Sequence, residues 1–390
     1  MKSNRLASID IFRALTMLLM IFVNDLWTLS NIPEWLGHKA ADEDGLGLAD
    51  VVFPAFMFIV GLSIPLAINA RAKNGESKKI IFKHIVIRSL VLIVMGVFMV
   101  NLENINRDLL PINKNYWQIL MTLGFFLIWN HYQNKKALGA IPQWAMQLLG
   151  AIVLIGIAII YKGGSVDEPQ WMRTHWWGIL GLIGWGYLVC ATLYLLVGNK
   201  IVWVAGLSFF FYLLNAQEFV SPFSVEFQIV VSASVHASVM TGVLTTVILL
   251  KYREPDWQGQ LELILSALAV FLLFLGFLTR PEWGISKIGA TPSWTAICAG
   301  ISIGSFLLIY LIADKMGYTK WAQPIDPAGR STLTCYLVPY YVYAIMSLIH
   351  FSLPATLTTG YIGILKSLVF GLLIIMITGV LERFSIRLKI

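Results

Sequence analysis

Apolar runs long enough to cross a bilayer recur from one end of this chain to the other, and nothing constrains its fold more. A hydrocarbon core of about 30 Å needs roughly 20 residues of α-helix, and only helices or closed barrels satisfy their backbone polar groups inside it. The runs are continuous rather than alternating, so they read as helices. Twelve spans are predicted, near 9–29, 48–70, 84–101, 116–132, 144–161, 176–198, 201–215, 229–250, 261–279, 294–313, 331–350 and 361–382. The pair 176–198 and 201–215 is the least regular. Two spans lost together would leave the orientation unchanged, so ten is the alternative count. The expectation is an all-α polytopic integral membrane protein forming one transmembrane domain over 1–390. Its charged residues, 13% of the chain, fall well below the roughly 25% of soluble domains. The first run is full-length and lacks a small-residue cleavage site, so it is expected to stay as a membrane helix.

Loop charge sets the expected orientation. The N-terminus and the loops 71–83, 131–140, 199–200, 251–260, 314–330 and 383–390 together hold 18 Lys and Arg, against 7 in the alternate set. Cytoplasmic loops carry the excess of positive charge, which places both termini in the cytoplasm. This distribution also accounts for the net charge of +7 without any nucleic-acid partner. Acidic residues such as Glu34, Asp42, Glu43 and Asp44 fall on the outer side. A negative vestibule there would attract a cationic acceptor such as an amino sugar, although ordinary solvated loop charge reads equally plainly.

Polar and ionisable groups inside the first two spans narrow the function. Asp10, Arg13, Asp25 and Asp50 interrupt apolar helices, and such groups face protein-lined cavities because lipid is costly for them. His38, on the joining loop, has the side chain whose pKa suits a general base near neutrality. Asp50 opens the second span, where it can orient that imidazole or simply cap the helix. Asp10 and Arg13 share a helix face, as a structural ion pair or as part of an inner anion site with Arg5 and Arg88. Asn101 and Gln118, near outer helix ends, could hydrogen-bond an acceptor, and His236 marks a lined cavity within the eighth span. Cys190, Cys298 and Cys335 lie far apart within predicted helices, so neither a disulfide framework nor a metal site is expected. The phosphate-binding loop, HExxH and CxxC signatures are absent from the sequence.

These residues together resemble the heparan-α-glucosaminide N-acetyltransferase family of transmembrane acyltransferases, which has many bacterial members. The resemblance rests on Arg5, Ser8, Asp10 and Arg13, then Phe22-Val23-Asn24, the loop His38, and Ala49-Asp50-Val51-Val52-Phe53-Pro54 through Gly61, Ser63 and Ile64. Weaker support comes from Arg88-Ser89, Gly96 and Asn101, from Gln118-Ile119-Leu120, from His175 to Gly181 and from Ile285 to Trp294. It implies a catalytic hairpin over 6–65 in a bacterial inner-membrane enzyme. It also implies transfer of acetyl from cytoplasmic acetyl-CoA to an amino sugar or glycan on the far side, with no metal. The family's active-site histidine falls on His38, its neighbouring asparagine on Asn24 and its acidic partner on Asp50. Ala14 replaces the family's usual glycine, and the loop HKAADEDG is longer than the family's Trp-containing version, so acceptor specificity is the property expected to differ.

The mechanism expected from that layout has CoA phosphates at Arg13 and Arg88 with Asp10 and Arg5 nearby, and the thioester beside His38. The imidazole deprotonates the acceptor amine, Asp50 fixes its tautomer and Asn24 donates to the thioester oxygen; an acetyl-histidine intermediate is the rival route. A sugar transporter is the alternative reading, since secondary carriers also combine many spans with polar clusters. Homodimerisation is left open by the sequence.

Overall fold

The computed structural model describes residues 6–132, 142–220, 231–253 and 259–390. Arg5, named above for the inner anion site, lies outside them. Each of the twelve predicted spans contains a helix, positions 229–230 of the eighth lying outside the described residues. They are α1 (Ala7–Asp25), α2 (Leu48–Lys73), α3 (Lys78–Glu103), α4 (Lys114–Trp129), α5 (Gln143–Ile159), α6 (Ile179–Val197), α7 (Ile201–Val220), α8 (Ala233–Tyr252), α9 (Gln260–Trp283), α10 (Pro292–Tyr310), α11 (Thr332–Leu348) and α12 (Gly360–Arg383). A wider π turn, Leu311–Lys315, prolongs α10. Extended structure among the described residues amounts to a small hairpin, β1 (Gly163–Gly164) and β2 (Pro169–Gln170). Among the described residues eight helices are long and apolar enough to cross a membrane, and α5, α11 and Ile201–Gln217 of α7 are apolar but shorter. The fold is an all-α, multi-pass one. The least regular pair of spans resolves into separate α6 and α7 because Gly198 turns the chain at φ +65°, a conformation that ends helices.

By its contacts the chain forms two compact units. The first comprises 1–16, 33–90 and 182–323, and the second 17–32, 91–181 and 324–390.

In the first unit α8 is the core element, buried at every position from Ala233 to Leu249. Its sequence explains this. Small and hydroxyl residues let neighbouring backbones approach closely, which is how helices associate when no water drives them together. Ser238, Thr241 and Thr245 return their hydroxyls to carbonyls one turn back, while Thr246 reaches across to the carbonyl of Leu62 on α2. At the crossing, a Cβ on Gly61 would stand 1.9 Å from the Val239 carbonyl oxygen, and one on Gly242 would stand 2.1 Å from that of Phe58. Neither partner is a flexible side chain, so Gly61→Ala should force α2 and α8 apart at a cost of about 2–3 kcal/mol. Thermal unfolding in detergent would show this as a lowered midpoint; an unchanged midpoint would mean that the backbones can separate freely. Phe12, Phe58 and Phe306 bring α1 and α10 onto the same core, with ring centroids 6.0–6.4 Å apart. Asp314 caps α1 from the π turn, accepting the N–H groups of Ala7 at 2.9 Å and Ser8 at 3.1 Å, two donors a helix N-terminus leaves open. By contrast α9 exposes Leu263, Val270, Phe271, Phe274, Phe277 and Leu278, the face a lipid-contacting helix needs.

In the second unit α4 and α5 close on Gly124 and Gly150, and buried Trp117 donates to the Ile157 carbonyl at 2.9 Å. The same unit holds a buried ion pair between Asp25 and Lys366 at 2.6 Å.

Candidate active site

Two glycines pinch the base of the loop that carries His38. A Cβ on Gly47 would fall 1.9 Å from the Gly37 carbonyl oxygen, so the two backbones touch and only glycine fits at 47. Gly47 is also the N-cap of α2, its carbonyl accepting the Asp50 N–H at 3.1 Å. The carboxylate of Asp50 reaches back to the N–H groups of Gly47 and Lys39, both 3.1 Å from Oδ2. The return to Gly47 is the acidic half of a capping box. Oδ1 is left for His38 Nδ1 at 2.7 Å.

This geometry fixes the imidazole chemically. An ionised carboxylate only accepts, so Nδ1 carries the proton and Nε2 keeps its lone pair. The Asp50 side chain is 2% exposed and that of His38 49%: the carboxylate is sequestered, and the ring is open for an incoming molecule.

Proline shapes the other side of Asp50. Pro54 has no N–H, so the Asp50 carbonyl four residues earlier loses its intrahelical donor. Trp294 Nε1 supplies it at 3.1 Å, fixing the start of α10 to the first turn of α2. Around this bond Ile285, Trp294, Ile297 and Cys298 form a buried cluster to which Leu46 and Val51 add.

The loop between α9 and α10 faces the His38 loop and is tied to it. Asp44 accepts from Arg280 Nε at 2.9 Å and from the Ile285 N–H at 2.7 Å, while Gly45 N–H bonds the Ile285 carbonyl at 3.1 Å. The Ile285 N–H, and after it the guanidinium of Arg280, hold the Asp44 carboxyl below the usual carboxylate range. The result of this lacing is that Lys287 Nζ stands 3.1 Å from Nδ1 and 3.4 Å from Nε2 of His38. Burial lowers the pKa of that ammonium from the ordinary lysine value.

Other residues singled out by sequence are placed as follows. Asp10 and Arg13 pair at 3.2 Å, and Arg13 Nη2 also donates to Ser63 on α2 at 2.9 Å. Thirteen residues of α2 separate Ser63 from Asp50, about 20 Å of helical rise. Arg88 is exposed, its guanidinium 5.0 Å from the centre of the Tyr187 ring. His236 is buried in α8 against Phe211, ring centroids 5.2 Å apart. In the second unit, Asn24 is exposed in the last turn of α1. Asn101 is buried, with its amide exchanging two hydrogen bonds with the Arg173 backbone at 2.8 and 3.0 Å. Gln118 donates to the Tyr340 carbonyl at 2.7 Å. The structure thus brings His38 and Asp50 into direct contact and sets Arg13 against the far half of the same helix, α2.

Lys287, Trp294 and Lys366 were missed as functional or partner residues. A signal existed for each. Lys366 interrupts an apolar run, as Asp25 does, and Lys287 and Trp294 lie within the stretch Ile285 to Trp294 that carries part of the resemblance.

A multi-pass helical membrane fold that presents a carboxylate-oriented imidazole at a helix N-terminus defines the class. Its particular kinship follows from comparison. Residues 5–105 match the family described as heparan-alpha-glucosaminide N-acetyltransferase, catalytic. The chain is 41% identical over 99 residues to the heparan-alpha-glucosaminide N-acetyltransferase of Mus musculus, and 40% identical over 97 residues to that of Homo sapiens. Each match covers 25% of this chain and 14% of the relative. The similarity is confined to the N-terminal quarter, which contains both His38 and Asp50, and the chain matches only a small part of the length of these relatives.

Proposed function

We propose that the chain is a membrane-embedded acetyltransferase that moves an acetyl group from cytoplasmic acetyl-CoA to the amine of an amino sugar or glycan on the periplasmic side of a bacterial inner membrane. The observation that carries this reading is the 2.7 Å contact between His38 Nδ1 and buried Asp50, inside the segment that matches the catalytic family. In this proposal all twelve helices span and both termini are cytoplasmic, by the loop-charge bias. The N-terminus of α2 then faces outward, and Arg13 lies toward the cytoplasm, where guanidinium suits CoA phosphates. Arg88 and Asp10 assist on that side.

The chemistry follows from the tautomer. Nε2 takes a proton from the acceptor amine as its nitrogen attacks the thioester carbon. The new C–N bond forms, the C–S bond breaks, and the departing CoA sulfur takes the proton back from the imidazolium. Asp50 stabilises the transient positive charge.

Membrane vesicles with acetyl-CoA on the cytoplasmic face and a mixture of amino sugars on the other should yield acetylated product by mass spectrometry. His38→Ala should lower the yield by about 10³-fold or more. Uptake of sugar without acetyl-CoA, or full turnover by His38→Ala, would overturn the proposal.

A further inference from the structure

We propose that Lys287 is a second charged member of this site, its ammonium stabilising the negative oxygen that develops on the acyl group as the acceptor attacks. The inference rests on the acetyltransferase reading above and adds to it a residue on a different loop.

Geometry carries the argument. The lone-pair directions of the two imidazole nitrogens diverge in the ring plane, and Asp50 already occupies the one at Nδ1 at 2.7 Å. An ammonium 3.1 Å from Nδ1 and 3.4 Å from Nε2 cannot lie along both directions at once. It stands over the ring, in the position of a cation on a π face. The ammonium nitrogen thus stands 3.4 Å from Nε2, the atom beside which the attacking amine must sit. A carbonyl being attacked there has its oxygen within reach of Nζ.

The loop that presents Lys287 is built before any ligand arrives. Thr291 Oγ1 accepts from the Ser286 N–H at 3.1 Å and donates to the Gly284 carbonyl at 3.0 Å. Gly289 N–H bonds Ser286 Oγ at 3.1 Å, and Ala290 N–H bonds the carbonyl of Lys287 itself at 3.1 Å. Ala290 holds φ +50°, a left-handed conformation that is strained for a non-glycine residue. Its carbonyl is secured by buried Asn215 on α7 at 3.0 Å. A strained, hydrogen-bonded loop holding a half-buried lysine against an imidazole is the arrangement expected of a preorganised charge.

The charges around Lys287 make a pH test possible. It faces Asp50 from α2, His38 from the opposing loop and the Cys298 thiol from α10; Lys39 is taken up by Glu43 and Glu34, and Asp44 by Arg280. Burial dominates, and Lys287 loses its proton at lower pH than an ordinary lysine. Activity that needs the ammonium must then fall as pH rises through that value. Arginine keeps its charge to far higher pH, so Lys287→Arg should move the alkaline limb upward.

The test is acetyl transfer to glucosamine by full-length protein in vesicles, for wild type, Lys287→Met and Lys287→Arg from pH 6 to about 11, the range that brackets ordinary lysine titration. Lys287→Met should lose about 10²-fold in kcat with little change in the KM for acetyl-CoA. Lys287→Arg should recover a substantial part of that loss and lack the wild-type alkaline limb. Wild type active and Lys287→Met equally active would overturn the role of Lys287 alone. Lys287→Arg as inactive as Lys287→Met would do the same by showing that charge is not what matters. Wild type inactive both with glucosamine and with the amino-sugar mixture used above would overturn the acetyltransferase reading, and this inference with it.

Discussion

Asp50→Asn is expected to lower the proposed acetyl transfer by about 10³–10⁴-fold while leaving the fold in place. The expectation follows from which oxygen each donor uses. Both backbone N–H groups, of Lys39 and Gly47, converge on Oδ2, while His38 meets Oδ1. An asparagine at 50 must put its carbonyl oxygen where the two N–H groups are, because its NH₂ cannot accept from them. The NH₂ then faces His38 and donates to Nδ1, which forces the proton onto Nε2. The loop and helix cap survive, but the base is gone. The same substitution in serine proteases costs about 10⁴-fold in kcat by reversing the imidazole tautomer. Measuring kcat/KM in vesicles beside the thermal midpoint in detergent separates the two effects. A loss under about tenfold with an unchanged midpoint would show that tautomer control is not limiting, whereas an equal loss of both would assign Asp50 to the fold alone.

What could be read from the sequence, and what could not, divides by range. The helices were legible because each apolar run carries its own length signal. Each run contains a helix here, and eight of those helices among the described residues are long and apolar enough to cross a membrane. Asp50 was legible because a carboxylate in the first turn of a helix has a local physical reason to be there. Its link to His38 lies only twelve residues away. By contrast, α8 reads like any other apolar run, and its central place depends on Gly61 and Gly242 meeting across 181 residues of chain. Lys287 was counted as loop charge, since only the folded 280–291 loop carries it to His38, 249 residues away. Asn101 looked like a ligand for an acceptor from its position at a helix end. In the structure its amide also holds the Arg173 backbone, a use with no local signature. Asp25 was grouped with Asp10, Arg13 and Asp50 because all four interrupt apolar helices, and its cationic partner 341 positions later was invisible.

That distant pair yields the largest expected effect on stability. Lys366→Met should destabilise the protein by about 3–5 kcal/mol, the usual result of removing one partner from a buried ion pair. The Asp25 carboxylate is 3% exposed and Lys366 16%. Oδ2 accepts from Lys366 at 2.6 Å and from Ser367 at 2.6 Å, and Oδ1 from Tyr343 at 2.7 Å. Two hydroxyls remain after the substitution, and they satisfy hydrogen bonds but not the charge. The reciprocal change, Asp25→Asn, should cost less. The amide keeps an acceptor for the hydroxyls, Thr28 still takes a hydrogen bond from Lys366 at 2.7 Å, and a long lysine side chain can shift its charge toward a polar boundary. The double variant should then recover most of the loss, because a neutral amide at position 25 beside a thioether at position 366 leaves no charge without a partner. That recovery is the coupling a double-mutant cycle isolates. Unfolding in detergent for the four proteins decides it. Losses that simply add would mean that the two groups do not stabilise one another, and that the ion pair is a consequence of the packing around it rather than one of its causes.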